Sequence, residues 1–348
     1  MLTIVGARPQ FIKAAPLSRA LRRSHDEVLL HTGQHYDDCM SDRFFRELGL
    51  PAADYEVGVG PGTHAEQTAR MLVGIEDAIV RERPEVVIVL GDTNSTLAGG
   101  LAAAKLGIRV AHVEAGLRSF NRAMPEEVNR VTVDHLSDWL FCPSESSVRN
   151  LAAEGITRGV HVVGDLMAEA IESMTALPTS DILTRLGVRP RQYLLATIHR
   201  AENTNDPERL QSLLSALAAA GEPVVFPLHP RTKRIMGGTS EASTSSIRFI
   251  EPVGYADMVA LERNARMILT DSGGVQKEAY WLGVPCITLR DETEWTETVD
   301  AGWNVVAGVN IDRILEAVRT FEPPSDRPSL YVDGRASERI TDLLENDR

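Results

Sequence analysis

The sequence predicts an α/β protein built as two doubly wound domains that face a central cleft. Three observations carry this. Short runs rich in β-branched residues alternate with helical patterns along the whole chain, which is the signature of parallel sheets flanked by helices. About twelve such runs are more than one open sheet comfortably holds, and 348 residues suffice for two cores. The alternation also pauses near 164–178, which sets the expected domains at 1–166 and 167–335.

In chain order, the first series of strands is Leu2–Val5, Val28–His31, Val86–Leu90, 110–113, Trp139–Cys142 and 160–163. The second is 193–197, 224–226, Ile247–Ile250, Met267–Thr270, 286–289 and Asn304–Val306. Most are nearly continuous apolar runs, as strands covered on both faces require. Helical patterns at 94–106, 207–219 and Tyr255–Asn264 separate them. A loop carrying Pro323, Pro324 and Pro328 precedes a last helical pattern at 336–344, and the segment 336–348 is expected to cross back onto the first domain.

Bulk composition narrows the function. The hydrophobic fraction is 43% and the charged fraction 24%, as in ordinary globular proteins. With 36 Lys and Arg against 49 Asp and Glu, the formal net charge is −13, which disfavours a nucleic-acid partner. An anionic small substrate would need basic residues placed locally. Cys39, Cys142 and Cys286 are odd in number and lack metal-ligand spacing, which reads as reduced thiols in a cytoplasmic protein. No basic segment precedes the first strand and no apolar run approaches membrane-spanning length, so neither a signal peptide nor a membrane partner is expected.

Residues 110–130, VAHVEAGLRSFNRAMPEEVNR, carry the strongest functional signal. Open α/β sheets bind ligands just beyond the strand carboxyl ends, and the apolar run 110–113 delivers Glu114 there. Val86–Leu90 delivers Asp92 in the same way, and Pro125 opens a helix with Glu126 and Glu127. Asp92 and Glu126 also suit helix capping, whereas Glu114 begins no evident helix. A carboxylate beside an apolar run is expected to be partly desolvated, which raises its proton affinity. The combination points to an enzyme with acid/base carboxylates in a cleft.

Basic and Gly-rich segments supply anion sites. Gly6-Ala7-Arg8-Pro9 ends the first strand and starts a helix, with Pro9 suited to a first turn. Arg8 and Lys13 crowd positive charge onto the positive end of that helix, an unfavourable placement unless a phosphate or carboxylate shares the site. The glycine spacing of a dinucleotide fingerprint is absent. In the second half, Met267–Thr270 runs into Asp271-Ser272-Gly273-Gly274. The amides of Ser272, Gly273 and Gly274 are expected to face a diphosphate, and Glu278, on the same helical face as Gly274, to accept from a ribose diol. His199 ends another strand, aimed to neutralise phosphate or donate a proton. His31 and His35 flank a turn and do not form a metal pair, although His35 would line the cleft. No cluster has metal spacing, and no nucleophile elbow suggests covalent catalysis.

Seven ordered motifs resemble the non-hydrolysing UDP-N-acetylglucosamine 2-epimerases: GARPQFIKAAP (6–16), GDTNST (91–96), HVEAGLRS (112–119), MPEEVNR (124–130), TIHRAEN (197–203), LTDSGGVQKEA (269–279) and LRDETEW (289–295). The resemblance spans nearly the whole chain. It implies two Rossmann-like domains in a GT-B-like fold, a homodimer, and interconversion of UDP-GlcNAc and UDP-ManNAc without NAD. By matching motif positions, Asp92, Glu114 and Glu126 would be the acid/base carboxylates. Arg8, Lys13 and His199 would hold phosphate or assist its departure, and Arg290 and Glu294 would complete the sugar-nucleotide site. Ala201 stands where many bacterial members carry Arg; in some relatives that Arg serves a regulatory second UDP-GlcNAc site, so this departure argues against such regulation. The segment between Glu114 and Glu126 is also shorter than theirs and lacks their aromatic residue before Pro.

Three rival readings stand beside the epimerase: a hydrolysing relative that releases ManNAc and UDP, a GT-B glycosyltransferase, and a non-catalytic sugar-nucleotide sensor. The GARPQFIKAAP opening argues against the hydrolysing enzyme. Deuterium entering C2 from heavy water separates an epimerase from both a sensor and a simple transferase.

Overall fold

The computed structural model describes residues 1–34, 45–176, 180–236, 246–331 and 334–346. His35 and Cys39 lie outside the described residues. The chain divides into two compact units, Met1–Ser173 with Tyr331–Arg348, and Met174–Leu330.

The first unit carries seven parallel strands: β1 (Leu2–Val5), β2 (Val28–His31), β3 (Tyr55–Glu56), β4 (Val86–Leu90), β5 (Arg109–Val113), β6 (Trp139–Cys142) and β7 (Val160–Val162), in the order β3-β2-β1-β4-β5-β6-β7. β1 and β4 are wholly buried, which their unbroken apolar sequences anticipate. The helix His64–Glu82 covers one face with Met71, Ile75, Ala78 and Ile79, packed on Leu2, Ile4, Val87 and Val89. Each large side chain so buried contributes about 1.5–3 kcal/mol. Thr63 and Glu66 close a reciprocal capping box at this helix start: Glu66 N–H donates to Thr63 Oγ1 (3.3 Å) and Thr63 N–H to Glu66 Oε2 (3.0 Å).

The boundary expected after Leu166 instead falls after Ser173. Leu166, Met167, Ala170 and Ile171 of the helix Leu166–Thr175 are all buried. Its Glu169 accepts hydrogen bonds from Ser337 N–H (3.1 Å) and Oγ (2.6 Å) at the start of the helix Ala336–Asn346. That last helix packs on Arg8–Leu21, with Ala336, Ile340 and Leu344 buried. The chain re-enters this unit at Tyr331, itself buried, and not at Ala336.

The second unit repeats the plan with six parallel strands: β8 (Leu194–Thr197), β9 (Val224–Pro227), β10 (Ile247–Ile250), β11 (Met267–Thr270), β12 (Cys286–Thr288) and β13 (Asn304–Val306), ordered β10-β9-β8-β11-β12-β13. Alternate residues feed two cores. Leu194, Ala196, Leu269 and Ile287 join one, while Leu195, Ile268 and Cys286 join the other.

In each sheet the strand order reverses once, between β1 and β4 and between β8 and β11. Such switch points open a crevice beyond the strand carboxyl ends. No helix among the described residues is long and apolar enough to cross a membrane.

Candidate active site

Register sets the candidate site residues of the first unit. Ile4 pairs with Val89 and Leu90 with Val113, so the chain leaves β1, β4 and β5 at one level, at Gly6, Gly91 and Glu114. A Cβ on Gly6 would lie 2.0 Å from Thr32 Oγ1 and 2.2 Å from Ser95 Oγ, so this turn admits no side chain. Gln10 seals the turn. Its Oε1 accepts from Gly6 N–H (2.8 Å) and Ala7 N–H (3.0 Å), and its Nε2 donates to the Leu90 carbonyl (2.8 Å). These two amides are thereby used, and an anion here relies on the side chains of Arg8 and Lys13.

Lys13, from the first turns of Arg8–Leu21, is ion-paired with Glu114, and both are largely buried. Glu114 is thus withdrawn from solvent beside its apolar run, with the Lys13 ammonium as its partner. Glu114 has φ +71, a strained value for a non-glycine residue. The strain is held by its own N–H and that of Ala115, both donating to the Phe141 carbonyl at 3.0 and 3.1 Å.

Asp92 sits beyond β4, and helix capping does not account for it. Thr93 caps Asn94–Lys105, its side chain accepting from Thr96 N–H. The Asp92 carboxylate instead pairs with Arg130, and its carbonyl accepts from Asn129 Nδ2 at 2.9 Å. Both partners belong to the helix Pro125–Leu136. Glu126, half-buried in its first turn, precedes Arg130 by one turn on the same face. Asp92, Glu126 and Arg130 therefore gather at one helix end, and beyond the neighbouring strand β5 Glu114 meets Lys13 of the helix Arg8–Leu21.

Glu127, the other member of the acidic pair, is buried and does a different job. It accepts from Ser119 N–H and Oγ and Phe120 N–H, each at 3.0 Å, and pairs with Arg130 at 2.9 Å. It ties the 115–124 loop to the arginine that holds Asp92. Beneath lies a second network. His112 reaches the Gly91 carbonyl through Nε2 and Asp134 Oδ1 through Nδ1, both at 2.7 Å. Asp134 also accepts from Arg118 (2.7 Å) and Gly116 N–H (3.1 Å), and Arg118 pairs with Glu154. Burial pushes the Asp134 carboxyl up, but His112 and Arg118 outweigh it and hold the carboxyl below its ordinary value.

In the second unit, Thr270 pairs with Thr197 and Thr288, so His199, Asp271 and Arg290 follow three adjacent strand ends. Asp271, fully buried, accepts from the backbone N–H groups of His199 (3.0 Å) and Arg200 (3.0 Å) and from Asn203 Nδ2 (3.1 Å). Burial raises its carboxyl, and these donors offset part of the rise. His199 Nδ1 lies 3.4 Å from the same carboxylate, and its ring sits 5.4 Å from that of His229.

One expectation is corrected. The Ser272 N–H donates to Thr270 Oγ1 at 2.9 Å, so it does not face a ligand. Ser272 caps Gly273–Leu282 through its side chain, which accepts from Val275 N–H. Gly273 and Gly274 remain at the helix start. A Cβ on Gly273 would lie 2.8 Å from Glu294 Oε1 and 3.0 Å from Trp295 Nε1. Gly273→Ala is therefore expected to cost about 1–3 kcal/mol of stability by overpacking, read as a lowered urea midpoint. An unchanged midpoint would show that Glu294 and Trp295 move aside freely. Glu294 pairs with Arg290 (2.9 Å), both buried, and lies 3.8 Å from Arg200. Glu278, also buried, accepts from Tyr255 Oη at 3.0 Å. Beside them Lys277 stands 3.8 Å from the Trp295 ring centroid.

Gln10, Asn129, Arg130, His112, Asp134 and Asp271 were missed by sequence reasoning. Their motifs were in view, but their partners lie 16 or more residues away in all but local contacts, as with Arg130 and Asp92 or Asp271 and His199. Neither described cysteine is a poised nucleophile: burial pushes the Cys142 thiol up to about 12 and raises that of Cys286 as well.

Residues 19–345 match the family model described as UDP-N-acetylglucosamine 2-epimerase. The chain is 48% identical over 354 residues to a UDP-N-acetylglucosamine 2-epimerase homolog of Methanococcus maripaludis, covering 99% of each chain. It is 47% identical to the UDP-2,3-diacetamido-2,3-dideoxy-D-glucuronate 2-epimerase of Pseudomonas aeruginosa, again over 99% of each. The crystal structure of Methanocaldococcus jannaschii UDP-GlcNAc 2-epimerase in complex with UDP-GlcNAc and UDP superposes with a TM-score of 0.93 at 42% identity, covering 99% of each chain.

Proposed function

Because the chain belongs to the UDP-N-acetylglucosamine 2-epimerase family, we propose that it inverts C2 of a UDP-linked N-acetylhexosamine without hydrolysis, interconverting UDP-GlcNAc and UDP-ManNAc. The gathering of Asp92, Glu114 and Glu126 around β4, β5 and the helix Pro125–Leu136 supports this reading above all. The C2 proton of the sugar is not acidic. Departure of UDP from C1 with the bonding pair builds positive charge there, and a carboxylate then removes the C2 proton to leave 2-acetamidoglucal. UDP re-adds at C1 while a second acid delivers a proton to the opposite face of C2. No water is consumed, the reaction is redox-neutral, and it calls for no nicotinamide.

The three carboxylates serve as the acid and base groups, and Lys13 and Arg8 stabilise the leaving diphosphate. His199 assists departure. Gly273 and Gly274 offer amides to the diphosphate, Glu278 accepts from the ribose, and Arg290 and Glu294 complete the nucleotide-sugar contacts. The protein acts as a homodimer.

Proton NMR of UDP-GlcNAc incubated with the protein in heavy water tests this. Two UDP-sugars, each deuterated at C2, are expected with no free sugar. Free ManNAc with UDP would assign the hydrolysing reaction, and no exchange without an added acceptor would favour a transferase. A second substrate deserves the same assay, because the Pseudomonas aeruginosa relative acts on a UDP-2,3-diacetamido-2,3-dideoxy-D-glucuronate, whose C2 chemistry is identical.

Lys13→Ala is expected to raise KM and to lower kcat about a hundredfold, since one electrostatic donor to developing charge supplies roughly 10²–10³. Steady-state kinetics check this, and an unchanged kcat would remove Lys13 from the departure step.

A further inference from the structure

Between Glu114 and Glu126 the chain makes a loop whose most conspicuous member is Phe120. Its ring is 77% exposed, the most exposed of the large apolar side chains among the described residues. Its backbone has φ +59, a left-handed conformation that a bulky residue adopts at a cost and that glycine takes freely. An exposed aromatic that also strains its backbone gains nothing for folding. Strain of this kind collects at ligand-binding positions when surrounding structure holds it in place.

Here the holding structure is specific. The Phe120 N–H donates to Glu127 Oε1 at 3.0 Å, and Ser119 N–H and Oγ donate to Oε2. Arg130 joins that same carboxylate to Asp92. One buried arginine thus fixes both the acid/base carboxylate and the strained turn that presents the ring. The turn follows Glu114 by six residues, and Met124, buried, closes the loop against the helix start.

We propose that Phe120 is a substrate-contacting specificity residue, whose ring packs on the apolar surface of the acylamino-hexose, its C–H face or acyl methyl, and not on the nucleotide. This rests on the epimerase reading. A planar apolar ring suits that surface, which hydrogen-bonding groups alone do not recognise. Asp92 and Phe120 being tied to one arginine keeps the reacting carbon and its neighbouring substituent in fixed relation to both.

Phe120→Gly separates function from folding, because glycine relieves the strained φ while deleting the ring. The variant is expected to melt at or above the wild-type temperature, to raise KM for the UDP-sugar about tenfold, the upper range of one aromatic contact, and to leave inhibition by UDP alone within twofold. Phe120→Ala should match it in KM and melt lower. Unchanged KM in both variants overturns the inference. So does weakening of UDP and UDP-sugar by the same factor, which would assign the ring to the nucleotide. A changed sedimentation coefficient with KM intact assigns it to a contact between copies and likewise overturns it. Wild-type protein that epimerises no UDP-hexosamine overturns both this and the epimerase reading, whereas active wild-type with unchanged variants sinks only the role of Phe120.

Discussion

Glu114→Gln is expected to lower kcat about a thousandfold, within the range supplied by a general acid or base, while leaving affinity for UDP within a few-fold. Glutamine keeps the shape and some hydrogen-bonding capacity but neither takes up the C2 proton nor gives one back. The loss should therefore fall on kcat and on kcat/KM alike, the mark of an interaction made in the transition state. The strained φ of +71 and the two amides gripping the Phe141 carbonyl fix the backbone whichever side chain stands there. The variant does break the pair with Lys13. A melting curve alongside the kinetics separates lost catalysis from lost folding, and the deuterium exchange at C2 should fall by the same factor as turnover. Near-normal exchange would remove Glu114 from the proton-transfer step.

Asp134→Ala is the substitution expected to harm stability most. It strips His112, Arg118 and the Gly116 N–H of a shared buried acceptor, and an uncompensated buried charge typically costs about 3–5 kcal/mol. Hydrogen exchange in β4, β5 and β6 reads this directly, since protection of central strands tracks the stability of their own unit. Protection unchanged there would show that Arg118 is sufficiently held by Glu154. The same carboxylate carries a pH signature. Its folded value is depressed below the ordinary 3.8, through His112 and Arg118 overcoming the effect of burial. Its stabilisation is therefore complete above the unfolded value and fades as pH falls through the lowered folded one. Acid sensitivity below about pH 4 should accordingly be shallower in Asp134→Asn than in the wild type.

The strands were largely legible because each is a bounded apolar run, and LTIV or VVIVL reads the same way in sequence as in the buried sheet. The two-residue β3 was not, since Tyr55–Glu56 offers no periodicity and pairs only with β2. The extent of the first unit was misjudged for a related reason. Residues 167–173 join it through Glu169, which meets Ser337, a pairing 168 residues apart that no local pattern announces.

Site residues divide similarly. Placement at strand ends was readable, so Asp92, Glu114 and His199 stand where their preceding runs deliver them. Partners were not readable. Lys13 meets Glu114 across 101 residues, and Ser272 directs its amide to Thr270 where a free diphosphate donor was expected. The left-handed residues Glu114 and Phe120 carry no glycine to mark them, so strain at both positions is visible only in the folded chain.

The central claim is that carboxylates of the first unit exchange the proton on C2. A crystal structure of the protein with its UDP-hexosamine bound tests it most directly. Two of Asp92, Glu114 and Glu126 should approach C2 from opposite faces, at about 2.6–3.2 Å or through one water. A hexose whose C2 lies out of reach of all three would contradict the account.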